Sequence, residues 1–267
     1  GVKASNLFTT NTALGFNPAT NNRNRVTGVF YYDTYNNALP LIFKNAIFYN
    51  YDVHGNVKEV INYNSSLLKG FGGREVHLKR VVYDYDLISG NVNSVTLQPN
   101  KPDQFIHKYE YDADNRIVNV QTSPDGVVWE KDANYQYYAH GPLARVELGD
   151  KKVQGVDYAY TLQGWLKTVN GENISDPNND MGQDGFQAGT TKTKDAFGYS
   201  LSYFDGDYKA ISGDDTSTSF KPLMYSRSTT NANLKNLYNG NIKQMTTAIR
   251  KQQDTLMSVQ KNNYTYD

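Results

Sequence analysis

Tyr109-Glu110-Tyr111-Asp112-Ala113-Asp114-Asn115-Arg116-Ile117 decides the fold, because two upstream stretches repeat its frame. They are Tyr49-Asn50-Tyr51-Asp52-Val53-His54-Gly55-Asn56-Val57 and Tyr83-Asp84-Tyr85-Asp86-Leu87-Ile88-Ser89-Gly90-Asn91-Val92. The shared unit is Y-x-Y-D-x-x-G/N-x-V/I. A motif recurring in one frame implies a repeat architecture.

Two decayed copies keep the paired aromatics and the turn glycine but lose the aspartate: Tyr135-Gln136-Tyr137-Tyr138-Ala139-His140-Gly141-Pro142-Leu143 and Tyr158-Ala159-Tyr160-Thr161-Leu162-Gln163-Gly164-Trp165-Leu166. Tyr32-Asp33-Thr34-Tyr35 fits upstream, and Tyr264-Thr265-Tyr266-Asp267 opens another copy. The second aromatics stand at 32, 51, 85, 111, 137, 160 and 266, with gaps of 19, 34, 26, 26, 23 and 106. The first five gaps suit a strand, a tight turn, a return strand and a variable connection. The last gap must hold something more.

Alternating Tyr, Val and Ile suit a pleated strand whose period of two sends the aromatic pair to one face. Aspartate then ends the strand, because it accepts bonds from nearby backbone while the following Gly or Asn permits positive φ. Antiparallel hairpins over 30–170 are therefore expected. The repeat residues are Tyr51, Asp52, Gly55, Tyr85, Asp86, Gly90, Tyr111, Asp112, Tyr137, Gly141, Tyr160 and Gly164, with the five tyrosines forming a ladder on one face.

The pattern resembles the YD-repeat, or Rhs, family of bacterial polymorphic toxins, surface proteins and animal teneurins. That resemblance implies an all-β fold, with hairpins wound as a spiral into part of a large hollow β-shell, and no catalytic residues in the shell. It covers about 30–170 and resumes at Leu237-Tyr238-Asn239-Gly240-Asn241-Ile242 and Tyr264 to Asp267. Four segments follow: 1–29 as lead-in, 30–170 as repeats, 171–236 as a polar and aromatic insertion between repeats, and 237–267 as a resumed, truncated repeat. A chain that stops inside a repeat is expected to belong to a longer array, and to self-associate through unpaired sheet edges when isolated.

Composition agrees with a wet, thin wall. The 267 residues include 22 Tyr and 21 Gly but only 38% hydrophobic residues, and mean hydropathy is −0.67, low for a chain of this length built on one dry core. Lys plus Arg and Asp plus Glu number 27 each, so no electrostatic footprint for nucleic acid exists. The absence of cysteine excludes disulfides and thiol chemistry. No run has the length of a transmembrane helix and the first residues carry no apolar signal region, so an export signal is expected outside this sequence.

Four groups of residues could carry chemistry. Asp176, Asn178, Asp180 and Asp184 place oxygens at positions 1, 3, 5 and 9 of a calcium loop. Met181 stands where that loop wants Gly and Gln187 where it wants Glu, so a solvated loop is the favoured reading and calcium the alternative. Asp205-Gly206-Asp207 reads as a turn rather than a glycosidase acid pair, which normally comes from separate elements. Both aspartate groups are expected to be exposed, so that Asn substitutions leave the fold intact. His54, His77, His107 and His140 are scattered without zinc spacing. Trp129, Trp165 and Phe204 lie outside the repeat frame and are candidates for a ligand patch.

No catalytic residue, metal or cofactor is assigned. Ala196-Phe197-Gly198-Tyr199-Ser200-Leu201-Ser202-Tyr203-Phe204-Asp205-Gly206-Asp207-Tyr208 is similar to a segment of YD-repeat proteins from gliding Gram-negative bacteria that export surface proteins by the type IX route. A secreted or cell-surface location is expected on that resemblance. The expected partners are the remainder of the same polypeptide, secretion machinery or cell-surface glycans. The leading function is a structural shell that encloses or displays another part of the polypeptide. A carbohydrate-binding adhesin module and a toxin-carrier shell are the alternatives, although the only Asp-Pro, Asp176-Pro177, does not form the paired core motif of toxin-bearing relatives. Residues 242–260 are expected to form a strand pair turning near 250–254, against a competing helical stripe of Ile242, Met245 and Ile249.

Overall fold

A computed structural model describes residues 24–32, 43–69, 77–176, 180–186, 191–209, 235–251 and 259–266. Among them run fourteen strands: β1 (Gly28–Tyr31), β2 (Asn45–Tyr51), β3 (Val57–Asn64), β4 (Leu78–Tyr85), β5 (Val92–Leu97), β6 (Phe105–Tyr111), β7 (Ile117–Ser123), β8 (Glu130–Tyr137), β9 (Leu143–Leu148), β10 (Gln154–Tyr160), β11 (Leu166–Val169), β12 (Phe197–Ser202), β13 (Gln244–Ile249) and β14 (Gln260–Asn263). A single 3-10 turn, Ser65–Lys69, is the other regular element among the described residues. The chain forms two compact units, Gly1–Arg116 with Val120–Trp129, and Ile117–Asn119 with Glu130–Asp267. Within each unit the strands pair antiparallel, in chain order.

The all-β reading of the sequence is correct, and the repeat unit explains how it arises. After β2 the backbone N–H of Asp52 donates to the Asn56 carbonyl at 3.0 Å, closing the turn. The same closure joins Asp86 to Asn91, Asp112 to Arg116, Tyr138 to Pro142 and Thr161 to Trp165, at 2.8 to 2.9 Å. One residue of each turn is left-handed: Gly55, Gly90, Asn115, Gly141 and Gly164, with φ between 60° and 117°. Only Gly, and at lower frequency Asn, adopts that region readily, which is why the motif position reads G/N. The aspartates cap the turns. Asp52 Oδ1 accepts the N–H groups of Gly55 (2.6 Å) and Asn56 (2.8 Å), Asp86 Oδ1 that of Ser89 (2.7 Å), and Asp112 Oδ1 that of Arg116 (2.9 Å). Slight burial works against the Asp52 charge, but these donors outweigh it and hold its carboxyl below the usual range. In the decayed fifth turn the Thr161 hydroxyl takes over, accepting from Trp165 N–H at 3.2 Å.

Four hairpins carry a β-bulge at one fixed place, invisible in the motif. Tyr51 opposes Val57 although Asn50 opposes Glu59, so Lys58 is the extra residue. Identical register shifts leave Asn93, Ala144 and Lys167 as the extra residues opposite Tyr85, Tyr137 and Tyr160. A bulge bends the strand and re-aims its neighbours. The second tyrosine of a repeat then reaches back to the preceding repeat. The hydroxyls of Tyr85, Tyr111, Tyr137 and Tyr203 donate at 2.8 to 2.9 Å to the carbonyls of Val57, Val92, Ile117 and Leu166, each the first residue of a return strand. Tyr51 to Val26 (2.7 Å) and Tyr266 to Ile242 (2.9 Å) follow suit. Where the sequence suggests a ladder of stacked rings, these tyrosines link successive repeats by a hydroxyl-to-carbonyl clasp. Tyr160 departs from it, having no hydroxyl bond among the described residues.

Replacing Tyr85 by Phe removes one clasp without changing ring volume, and is expected to cost about 1 kcal/mol, the net contribution of a typical hydrogen bond. Urea unfolding of Y85F, with Y160F as the clasp-free control, checks this. Equal effects of the two substitutions would mean that the rings, and not the hydroxyls, join the repeats.

Within 171–236, read from the sequence as an insertion, lies β12, which pairs with β11 on one side and β13 on the other. Tyr203 makes the clasp that ends the outgoing strand, and Gly240, just before β13, is left-handed (φ 87°) like the other turn glycines. Leu237 N–H donates to the Tyr203 carbonyl and Lys243 N–H to the Ser202 carbonyl, so Leu237 to Lys243 closes the hairpin begun at Phe197, while 210–234 lie outside the described residues. Beyond it β13 and β14 pair antiparallel, but β14 begins only at Gln260, so the return strand lies almost entirely past the 242–260 expected from the sequence, and the turn expected at 250–254 falls mostly in 252–258, outside the described residues.

Two different interiors result. In the first unit Ala46, Phe48, Ile61 and Leu78 are buried, with Phe30, Phe43 and Tyr63 packed on them. Edge-to-face rings, such as Phe30 with Phe43 at 5.0 Å, fill this core. The second unit buries polar and charged side chains instead, including Arg145, Glu147, Asp157, Lys167, Glu172, Asp180, Asp184, Asp195 and Asp207. Charged groups are rarely buried so fully unless paired.

Candidate functional site

The buried charges of the second unit lie under the connection 170–196, which joins β11 to β12 and folds back over β9 and β10. Its base is tied at Asn170, whose Oδ1 accepts the Asp157 N–H (2.8 Å) and whose Nδ2 donates to the Phe197 carbonyl (3.1 Å). Ile174, fully buried, sits against Gly198, where any Cβ would overlap the Gly171 carbonyl. Met181 packs on Ala159 together with Tyr208. Farther along, Thr193 N–H donates to the Val153 carbonyl at 2.8 Å.

At the centre is Arg145 of β9. Its guanidinium fork meets Asp157 of β10 through Nη1, Asp184 of the connection through Nη2 (2.6 Å) and Glu147 through Nε (3.5 Å). Gly155 and Gly182 lie so close that a side chain on either would overlap the guanidinium. Burial works against the Arg145 charge, but Asp157 and Asp184 outweigh it and raise its pKa further. Burial likewise opposes ionisation of Glu147, yet Lys152 (2.7 Å) and Lys192 (2.6 Å) bring its pKa down to about 2.

Two carboxyls remain that no cation neutralises as closely. Asp180 accepts the Asp184 N–H at 3.0 Å through Oδ2, and burial pushes its pKa up to about 7. Asp195 is 1% exposed, and burial, reinforced by Asp180, Asp184 and Asp157, pushes it to about 8. Asp180 Oδ1, Asp184 Oδ2 and both Asp195 oxygens find no hydrogen-bond partner among the described residues.

A second buried pair closes the base of the turn between β12 and β13. Lys167, the bulge residue of its hairpin, reaches Asp207 at 2.8 and 3.1 Å, and Asp207 also accepts the Tyr203 N–H at 2.8 Å. Lys243 joins Asp205 (2.9 Å) and Asn236 (2.8 Å) across the two arms of that turn.

These positions correct the reading of both aspartate groups as exposed turns. Asp180, Asp184 and Asp207 are buried, and only Asp205 is exposed. The calcium loop is not formed as its spacing suggests: Asp184 is spent on Arg145, Asp176 is half-buried, and Asn178 lies outside the described residues. Among the described residues no three His, Asp or Glu side chains are placed to hold a metal ion. Sequence reasoning missed Arg145, Asp157, Lys167 and Asp195. For Arg145, Asp157 and Lys167 the available signal was a charge at a strand position where the adjacent repeat carries a neutral residue, and Asp195, which precedes β12, had none.

Nor do the three proposed patch aromatics share one environment. Trp129 of the first unit donates to the Gly126 carbonyl (3.2 Å) and lies 5.7 Å from the Lys108 ammonium. Trp165 packs on Tyr203 at 5.0 Å, and Phe204 on Tyr238 at 4.8 Å. The histidines hold aromatic or turn contacts, with His140 stacked on Tyr138, His77 edge-to-face with Tyr63, His107 edge-to-face with Phe105, and His54 3.9 Å from Asp52.

The fold and its repeated turn define a class: tandem Tyr-Asp hairpins in an antiparallel β-architecture. No protein-family model and no curated protein matches the chain. Among solved structures it is similar to chains of Tc toxin assemblies. They are TcdB2-TccC3 (TM-score 0.31, 10% identity, 82% of this chain and 12% of that chain), TcdB2-TccC3-Cdc42 (0.29, 10%, 83% and 12%), and the Photorhabdus luminescens Tc holotoxin pore (0.29, 10%, 78% and 12%). The chain spans 12% of the length of each.

Proposed function

We propose that this chain is a wall segment of a large exported YD-repeat protein, a passive β-surface without catalysis that encloses or displays another part of the same polypeptide. The observation that carries this reading is the clasp. One turn, one bulge and one tyrosine bond recur, so most hairpins, that of Tyr160 excepted, are fastened to the preceding repeat by the same hydroxyl-to-carbonyl bond, as a self-extending wall requires. The remainder of the polypeptide is the main partner, the bacterial surface or the exterior is the location, and type IX export machinery is the route. A toxin carrier is one version of this role. The test is electron microscopy of the full parent polypeptide combined with limited proteolysis. A closed hollow particle that shields an internal segment is expected, and an open sheet with no protected segment would remove the enclosure reading.

A second reading, an adhesin module, is favoured by one feature. Tyr238 is 69% exposed and packs at a tilt against Phe204, an exposed aromatic surface suited to a sugar ring. In the same experiment series, a glycan array that lights up for the parent and not for Tyr238→Ala would shift the assignment to it.

A further inference from the structure

We propose that the stretches 180–186 and 191–196 between β11 and β12 act as a proton-locked latch: they stay seated on β9 and β10 while Asp195 is a neutral acid, and loosen as that acid ionises. The charged groups acting on Asp195 are Arg145 from β9, Asp157 from β10, and Asp180 and Asp184 from the connection itself, with Arg250, just past β13, at its backbone. Arg145 is held by Asp157 and Asp184, and Glu147 by Lys152 and Lys192. Lys194 lies 5.0 Å from the Phe186 ring. Arg250 directs its Nε to the Asp195 carbonyl oxygen at 2.8 Å, tying the backbone there.

The Asp195 carboxyl is thus buried beside Asp157, Asp180 and Asp184, with Arg145 already engaged by Asp157 and Asp184 and neither of its own oxygens hydrogen-bonded among the described residues. An ionised group in that place would meet both burial and like charge. A protonated one becomes a donor in a pocket where Asp180 Oδ1 and Asp184 Oδ2 are unfilled acceptors.

The geometry makes the lock local. Asp180, Asp184 and Asp195 all belong to the connection, whereas the groups they lean on belong to the sheet, so ionisation strains the seat of the connection and leaves the strand pairing intact. The direction follows from linkage. The seated pKa of Asp195, about 8, is raised above the value near 4 of a free aspartate, so its stabilising proton is fully in place at acid pH and is lost as pH climbs towards 8. Between those limits the lifted population grows about tenfold per pH unit. Asp180, at about 7, acts in the same direction.

Trypsin cleavage after Lys192 and Lys194, expressed relative to cleavage after the exposed Lys131 of the same chain, reads the latch and cancels the protease's own pH dependence. The expected relative rate rises about tenfold or more from pH 6 to pH 7. In the Asp180→Asn/Asp195→Asn variant, which keeps size and a hydrogen-bonding group, it stays low and flat. A parent ratio that does not change with pH overturns the proposal. So does a variant that is cut rapidly at both pH values, which would make the carboxyls structural whatever their charge. Protection by calcium chloride at pH 8, reversed by chelator, also overturns it, because a cation and not a proton would then neutralise the cluster.

Discussion

Arg145→Met is expected to destabilise the second unit by about 3–5 kcal/mol, the usual cost of removing one member of a buried ion cluster. Methionine fills the volume of the aliphatic stem but supplies no charge, so Asp157 and Asp184, both nearly inaccessible, lose the fork that neutralises them. The loss arises mainly from the carboxylates left behind. Adding Asp157→Asn and Asp184→Asn to Arg145→Met should therefore recover much of it, since the remaining groups are neutral. Urea unfolding curves of the single and triple variants provide the measurement. A loss below about 1 kcal/mol in the single variant would show that Arg145 is a solvated residue and that the buried cluster does not organise the connection.

Lys167→Met is the second large effect, expected at about 3–5 kcal/mol for the same reason. Lys167 occupies the bulge of its hairpin and Asp207 stands at the foot of the turn between β12 and β13, so this bond spans 40 residues of chain. Methionine leaves Asp207 buried with only the Tyr203 N–H as a donor. Two readouts should fall together in this variant: global stability in denaturant, and resistance to proteolysis at Lys209, just past Asp207. The companion Lys167→Met/Asp207→Leu should regain most of the stability, because a matched apolar pair can replace a buried ion pair. A companion no better than the single variant would indicate that the Asp207 bond to Tyr203, and not the ion pair, holds the turn.

Local chemistry made the hairpins legible in the sequence. Asp52, Asp86 and Asp112 cap turns with atoms at most four residues away, and Gly55, Gly90 and Asn115 supply the left-handed step those turns require. Such information is short-range, so it survives in a linear motif and predicts an antiparallel all-β chain. At 242–260 period two marked the strand β13 over the helical stripe, but not its partner, which begins at Gln260.

What the tertiary structure alone decided depends on residues far apart in the chain. The bulge opposite each second tyrosine is a matter of register between two strands, and turns an expected ring ladder into a clasp between neighbouring repeats. The split hairpin joins Tyr203 to Leu237 and Ser202 to Lys243, partners too far apart in the chain for any local period to reveal. The aspartates of 176–184 and 205–207 carry turn composition, yet most are buried. Their environment is set by Arg145, Lys167 and the face of β9 and β10, which come within reach only once the connection has folded back. Turn type is a property of a few consecutive residues and was determined by the sequence. Burial and charge pairing are properties of the sheet that those turns assemble, and only the folded chain decides them.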